Sequence, residues 1–264
     1  MHPRCWLKPI HSPVRTLLAI LLVGSVVATA SAQTSATKIY VSDTNIGDIF
    51  KFDAAGNRTV FATGLSAPTG LAIDSTGNLY VADAGTLTID KYDPFGAMTV
   101  FSSGGFLNQP RGLAFDSSGA LYVANANTNQ IIKIDSTGQQ SVFASNALFN
   151  VPFGLAFDRN GLLYVSSTNG NAVYKLDSSG NATLFSNSGL AGPTGLAFDA
   201  ADNLFVANVQ GRTIEKFDPT GEGTVFVANT GADPYGTALD HHREPLRCAV
   251  QHEHNREVRP NRTG

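Results

Sequence analysis

The feature that most constrains this chain is a repeat. Pro-x-Gly recurs at Pro68, Pro110, Pro152, Pro193 and Pro234, at intervals of 41 or 42 residues. A period of that length belongs to propellers or solenoids, in which one supersecondary unit stacks on copies of itself. Each unit carries four short apolar runs, such as PRGLAFD, GALYVAN, QIIKID and QSVFASN in the unit that starts at Pro110. Runs rich in Val, Ile, Tyr and Phe with Gly-containing breaks read as strands joined in hairpins. No stretch shows a sustained helical period, and four strands in about 40 residues make a propeller blade. The fold class expected is all-β, a β-propeller of four-stranded antiparallel blades. Residues 37–64 supply three strands lacking the first, and Pro234 to Asp240 supplies a first strand lacking the rest. Five blades' worth is therefore encoded, read here as a truncated six-bladed ring.

Two repeat positions explain most of the Asp. Asp74, Asp116, Asp158, Asp199 and Asp240 end the first strand, and Asp53, Asp93, Asp135, Asp177 and Asp218 end the third. A Gly three residues later is the rule, as at Gly119 and Gly138. An Asp side chain accepts from turn amides and Gly supplies φ > 0, so these carboxylates read as turn formers and not as calcium ligands. Lys51, Lys91, Lys133, Lys175 and Lys216 share one position of the third strand, which fits long stems lying on a sheet with the ammonium in water. Phe61, Phe101, Phe143, Phe185 and Phe226, each with the Val or Leu before it, and the second-strand Tyr40, Tyr80, Tyr122, Tyr164 and Phe205 are the expected blade-to-blade packing.

Outside the repeat the composition changes character. All six His, both Cys and the sole Trp lie before residue 33 or after residue 240. Residues 33–240 carry 10 Lys plus Arg against 18 Asp plus Glu, a charge of −8, which excludes a basic nucleic-acid binder. Arg4, Lys8 and Arg15 precede an apolar run from Leu17 to Val27 and an Ala-x-Ala pattern ending at Ala32, so residues 1–32 read as a secretory signal peptide. That run is too short for a spanning helix, which needs about 20 residues. The expectation is a secreted, periplasmic or extracellular monomer with no membrane span after cleavage.

After Asp240 the repeat stops abruptly, and the last 24 residues hold five Arg, four His and no aromatic residue. Reading one base out of frame, the codons permitted for Arg243 to Cys248 allow GNLYVA, and those for Asn255 to Arg262 allow IEKFDPTG. These are the next two strings of the repeat at its own spacing. Residues 241–264 are therefore read as a frameshifted, disordered tail, and residues 33–240 as the propeller. The competing reading, His241, His242, His252 and His254 as metal ligands, is then unnecessary.

In an up-and-down blade the loops after strands two and four share one side of the disc, and here these vary while the Asp-x-x-Gly turns do not. Uniform loops maintain a fold, and variable loops on a rigid scaffold carry recognition. The binding residues expected on this face are Arg111, Phe153 and Tyr235, from inside the Pro-x-Gly motifs, with Asp43, Asp83, Asn125 and Asn208 near the channel mouth. No catalytic or metal-ligating residue is assigned, and no cofactor is expected.

The units P-x-G-L-A-F-D-x-x-G-N-L-Y-V-A and I-x-K-F-D-x-x-G resemble NHL repeats over residues 37–240, and more loosely the SMP-30/gluconolactonase and streptogramin-lyase propellers. The resemblance is specific for fold and weak for activity. The lactonase resemblance implies a divalent metal held by an Asn or Asp just before the motif Gly and by a Glu near the N-terminus. Those pre-Gly positions here are Thr69, Arg111, Phe153, Thr194 and Tyr235, and no Glu precedes Glu215. The lyase resemblance implies a His general base, and residues 33–240 have no His. Without Cys or His there is also no Cys-His or Ser-His pair. Three readings follow. The first is a non-catalytic scaffold binding a protein, glycan or small molecule. The second is a metal-dependent lactonase or lyase, for which Asp43 and Asp83 at equivalent blade positions are a possible carboxylate pair. The third is a nonfunctional product of a frameshifted gene.

Overall fold

A computed structural model describes residues 39–53 and 55–237 of the protein. Residues 1–32, read above as a signal peptide, Asp240, and residues 241–264, read as a frameshifted tail, lie outside the described residues. The described chain is all-β, five blades of a β-propeller in sequence order. Blade one has three strands, β1 (Ile39–Asp43), β2 (Asp48–Phe52) and β3 (Arg58–Ala62). Blade two is β4 (Pro68–Ile73), β5 (Leu79–Asp83), β6 (Thr88–Tyr92) and β7 (Met98–Ser103). Blade three is β8 (Pro110–Phe115), β9 (Leu121–Asn125), β10 (Gln130–Ile134) and β11 (Gln140–Ser145). Blade four is β12 (Pro152–Phe157), β13 (Leu163–Ser167), β14 (Ala172–Leu176) and β15 (Ala182–Ser186). Blade five is β16 (Pro193–Phe198), β17 (Leu204–Asn208), β18 (Thr213–Phe217) and β19 (Gly223–Val227). Every pairing is antiparallel between strands adjacent in sequence.

The first strands line the axis, where β4, β8, β12 and β16 pack side by side in that order. The Gly of each Pro-x-Gly permits this approach. A Cβ at Gly70 would fall 2.0 Å from the Arg111 carbonyl oxygen, and at Gly112 or Gly154 it would fall 2.1 Å from the oxygen of Phe153 or Thr194. Residues 234–237 continue the series without forming a strand, and Gly195 N–H donates to the Tyr235 carbonyl at 3.0 Å. Among the described residues, no comparable packing joins blade five back to blade one.

Between blades the apolar faces close on a ladder of rings. Tyr122 of β9 meets Phe143 of its own β11 at 4.9 Å and Phe157 of the next blade's β12 at 5.1 Å, both edge-to-face. Tyr80 sits in the same way between Phe101 and Phe115, and Tyr164 between Phe185 and Phe198. Such geometry adds about 0.5–1.5 kcal/mol per pair beyond the area buried. Phe205 has Phe226 alone among the described residues, at 5.1 Å. Four of the five repeated lysines lie over such rings, among them Lys91 5.2 Å from Tyr80 and Lys133 5.1 Å from Tyr122. Lys133 also reaches Asp116 at 3.5 Å, so the ammonium finds a carboxylate as well as water.

One packing expectation needs correction. Phe61, Phe101, Phe143 and Phe185 pack inward and Phe226 stays exposed, while the Val or Leu before each faces solvent, with Val60, Val100, Leu184 and Val225 more than half exposed. The cause is a β-bulge in each fourth strand. Ile131 pairs with Ala144 and Ile132 with Val142, so Phe143 between them is the unpaired extra residue, turned onto the Tyr. A bulge sets two consecutive residues against one partner and re-aims a side chain.

The hairpin turns are as the Asp-x-x-Gly spacing expects. At Asp177 the carboxylate accepts from Ser179 N–H and Asn181 N–H at 2.9 Å, its carbonyl accepts from Gly180 N–H, and Gly180 has φ +81. The Asn181 side-chain hydrogen bond, then the turn amides, hold the Asp177 carboxyl below the usual carboxylate range. Thr137 does the same first for Asp135, and Asn57 for Asp53.

Two tests follow. Gly112→Ala sets a Cβ against the Phe153 carbonyl and should destabilise by more than about 2 kcal/mol or prevent folding. Gly119→Ala, at φ +85 with open space around it, should cost about 1 kcal/mol. Urea unfolding compares the two. The second test is acid titration. Carboxyls lowered on folding stabilise the native state above their unfolded pKa and lose that contribution as pH falls through the folded values. The urea midpoint should be flat from neutral pH down to about pH 5 and fall steeply below about pH 4.

Candidate functional site

The site is built where the first strands meet the axis. In each complete blade Pro-x-Gly is itself a bulge, since Pro110 pairs with Asn125 and Leu113 with Val123, leaving one residue extra. The same shift occurs at Pro68, Pro152 and Pro193. The residue after each Pro therefore leaves the strand alternation and serves the channel.

Those residues divide into two kinds. Thr69 and Thr194 are buried and structural. Thr69 Oγ1 donates to the carbonyl of Ala82 or of Pro110, at 3.1 and 2.9 Å, and Thr194 Oγ1 is placed likewise against Ala207 and Pro234. These hydroxyls tie one inner strand to the next. Arg111, Phe153 and Tyr235 instead come together as a cluster. The Arg111 guanidinium carbon lies 5.4 Å from the Phe153 ring centroid, and the Phe153 and Tyr235 rings are 6.3 Å apart, tilted by 39°. Phe153 is buried, while Arg111 and Tyr235 are half-buried.

Arg111 is electrostatically incomplete. Its Nε is buried with no hydrogen-bond partner, and no carboxylate lies within ion-pair distance among the described residues. Burial pushes its pKa below the ordinary guanidinium value, and the nearby Tyr235 works the other way. A guanidinium remains charged regardless. A buried donor left unpaired costs about 1–3 kcal/mol.

Asp43, Asp83, Asn125 and Asn208 occupy equivalent positions at the ends of second strands, and all four are buried. Three of them fasten the loop that leads into their own blade. The Asp83 carboxylate accepts from Ser66 N–H and Ala67 N–H at 2.8 Å and from Gly85 N–H at 3.1 Å. Asn125 accepts from Asn108 N–H and donates to the Phe106 carbonyl. Asn208 accepts from Ala191 N–H and donates to the Gly189 carbonyl. Asp43 accepts from Asn45 and Ile46 N–H within its own turn. The loops after the second strands differ in sequence but share one backbone shape, with left-handed residues at Gly47, Leu87, Asn129, Asn171 and Arg212. Asn129 and Asn171 reach the next blade, accepting from Val151 N–H and Gly192 N–H.

Sequence reasoning did not single out the buried acids of the third strands, Asp90 and Glu215. Their signal was the apolar residue found there in other repeats, as at Ile132. Burial, against the hydrogen bond of Thr88 and with the neighbouring Asp83 charge, pushes Asp90 up. Glu215 accepts from Thr213 Oγ1 at 2.6 Å. Separately, a groove of about 430 Å³ opens on the outer rim between β7 and the turn before β11, where the Gln140 amide bridges Ser102 Oγ and Phe106 N–H.

Among the described residues no three His, Cys, Asp or Glu side chains are placed to share a metal ion. The channel positions offer hydroxyls, rings and a guanidinium, a donor set that does not fit a divalent cation. No helix among the described residues is long and apolar enough to cross a membrane.

Together these features define a four-strand-repeat β-propeller whose channel holds one unpaired cation among aromatic rings. The chain belongs to the virginiamycin B lyase family, which it matches over residues 25–245. No curated protein matches its sequence. Among solved structures it is similar to a catalytically inactive histidine-to-alanine variant of virginiamycin B lyase from Staphylococcus aureus, with quinupristin. That match has a TM-score of 0.66 at 19% identity and covers 84% of this chain and 78% of that one. It is similar to a chain of the nidogen/laminin complex, with a TM-score of 0.71 at 20% identity over 80% of this chain and 83% of that one. A gluconolactonase from Xanthomonas campestris gives a TM-score of 0.71 at 17% identity, over 83% of this chain and 81% of that one.

Proposed function

We propose that the protein is an exported, non-catalytic propeller of the NHL type that binds its ligand at the channel mouth. The observation that carries this reading is the cluster of Arg111, Phe153 and Tyr235, a cation and two rings brought together by three separate Pro-x-Gly motifs. Arg and aromatic residues are the side chains that anchor recognition. The composition supports the same reading, because the described residues contain no His and no Cys. The lyase variant that is inactive has lost a histidine. A propeller in the nidogen/laminin complex supplies a precedent for the scaffold in protein binding. Family membership favours a second reading, a metal-dependent lyase or lactone hydrolase. The Asp83 carboxylate, an acid available to it, is already engaged by three loop amides.

The readings separate in one assay. Purified protein incubated with quinupristin or simple aldonolactones, with and without magnesium, calcium or zinc, should show no turnover above buffer. Metal-dependent turnover would replace the binding reading with the catalytic one.

The out-of-frame tail belongs to the same proposal. Phe226, on the last strand of blade five, is 36% exposed, whereas the equivalent Phe61, Phe101, Phe143 and Phe185 are half-buried. Restoring the frame after Asp240 should cover that face, raising the melting temperature by several degrees and lowering aggregation. An unchanged melting temperature in the restored protein counts against the frameshift.

A further inference from the structure

On the strands that line the axis, and in residues 234–237 beside them, Arg111 is the sole acidic or basic residue. It sits inside a repeat region carrying a net −8, yet no carboxylate has been drawn to it among the described residues. A guanidinium lying over a ring keeps its in-plane N–H donors free, and those donors form a fork that matches a carboxylate. Arg111 is in that position over Phe153, with its buried Nε unsatisfied. The second ring, Tyr235, stands 6.3 Å from Phe153 and brings a phenolic hydroxyl.

We infer that Arg111, Phe153 and Tyr235 form a subsite for a carboxylate carried on a flat, unsaturated or aromatic body. The guanidinium takes the carboxylate and the two rings take the body. A compact anion such as phosphate gains nothing from the rings and meets a single cation in an acidic chain. A neutral flat molecule gains the rings but leaves the guanidinium unpaired. The subsite thus selects for both properties at once. This inference rests on the binding reading given above and assigns its ligand class.

The test uses the full chain as encoded, with calorimetric titration at neutral pH and low salt, and three probes: benzoate, benzamide and inorganic phosphate. Benzoate should bind saturably, at least tenfold more tightly than benzamide or phosphate. Arg111→Gln should weaken benzoate at least tenfold while shifting the melting temperature by no more than a few degrees. If that variant fails to fold, Arg111→Lys keeps the charge without the planar fork and should weaken benzoate at least fivefold. Equal binding of benzoate and benzamide, phosphate binding as tightly as benzoate, or full benzoate affinity in a folded Arg111 variant overturns the inference. Absence of benzoate binding in a protein that also turns over no lactone or quinupristin removes the ligand class and leaves the non-catalytic reading standing. Turnover alongside benzoate binding removes the non-catalytic reading and leaves the subsite.

Discussion

The close approach of neighbouring inner strands at the axis is the constraint on which the other layers rest. At Gly70, Gly112 and Gly154 the next blade's carbonyl oxygen occupies the space that any side chain would need. With the strands at that spacing, Thr69 and Thr194 can bridge to the following strand and residues two blades apart can meet across the channel. It also fixes the angle at which blades splay, and hence the separation at which Tyr122 fits edge-on between Phe143 and Phe157. Burial of this kind is shared, since no blade covers its own two faces.

Much of this was legible in the sequence, because a repeat states its rules several times. Strand number, strand order and the Asp-x-x-Gly turns follow from spacing and from the chemistry of Asp and Gly. The channel cluster was legible for a similar reason: Arg111, Phe153 and Tyr235 break a position otherwise held by Thr. Register was not. Two bulges in each complete blade insert an extra residue, and a bulge leaves no mark on an apolar pair such as Val142-Phe143. The pair reads as two buried residues, and one of them is exposed.

The polar residues at the second-strand ends show a different limit. Asp83, Asn125 and Asn208 vary between blades and sit beside variable loops, which is how recognition residues look in a sequence. Their partners are backbone amides and carbonyls of the loop entering the same blade, 16 to 19 residues earlier. Backbone groups carry no sequence signature, so the two roles cannot be separated from composition alone. Ser167 does the same work in blade four, with its Oγ accepting from Asn150 N–H at 2.8 Å.

The bulged Pro-x-Gly has a consequence for how such a protein diversifies. Each repeat contributes one side chain to the axis, and its neighbours in the motif, the Pro and the Gly, carry the geometry. A mutation at that one position rewrites the lining of the channel, and where the residue is Thr it also removes a tie to the next inner strand. The axis is thus a short string of letters, here Thr, Arg, Phe, Thr and Tyr, and duplication of a repeat adds a letter to it.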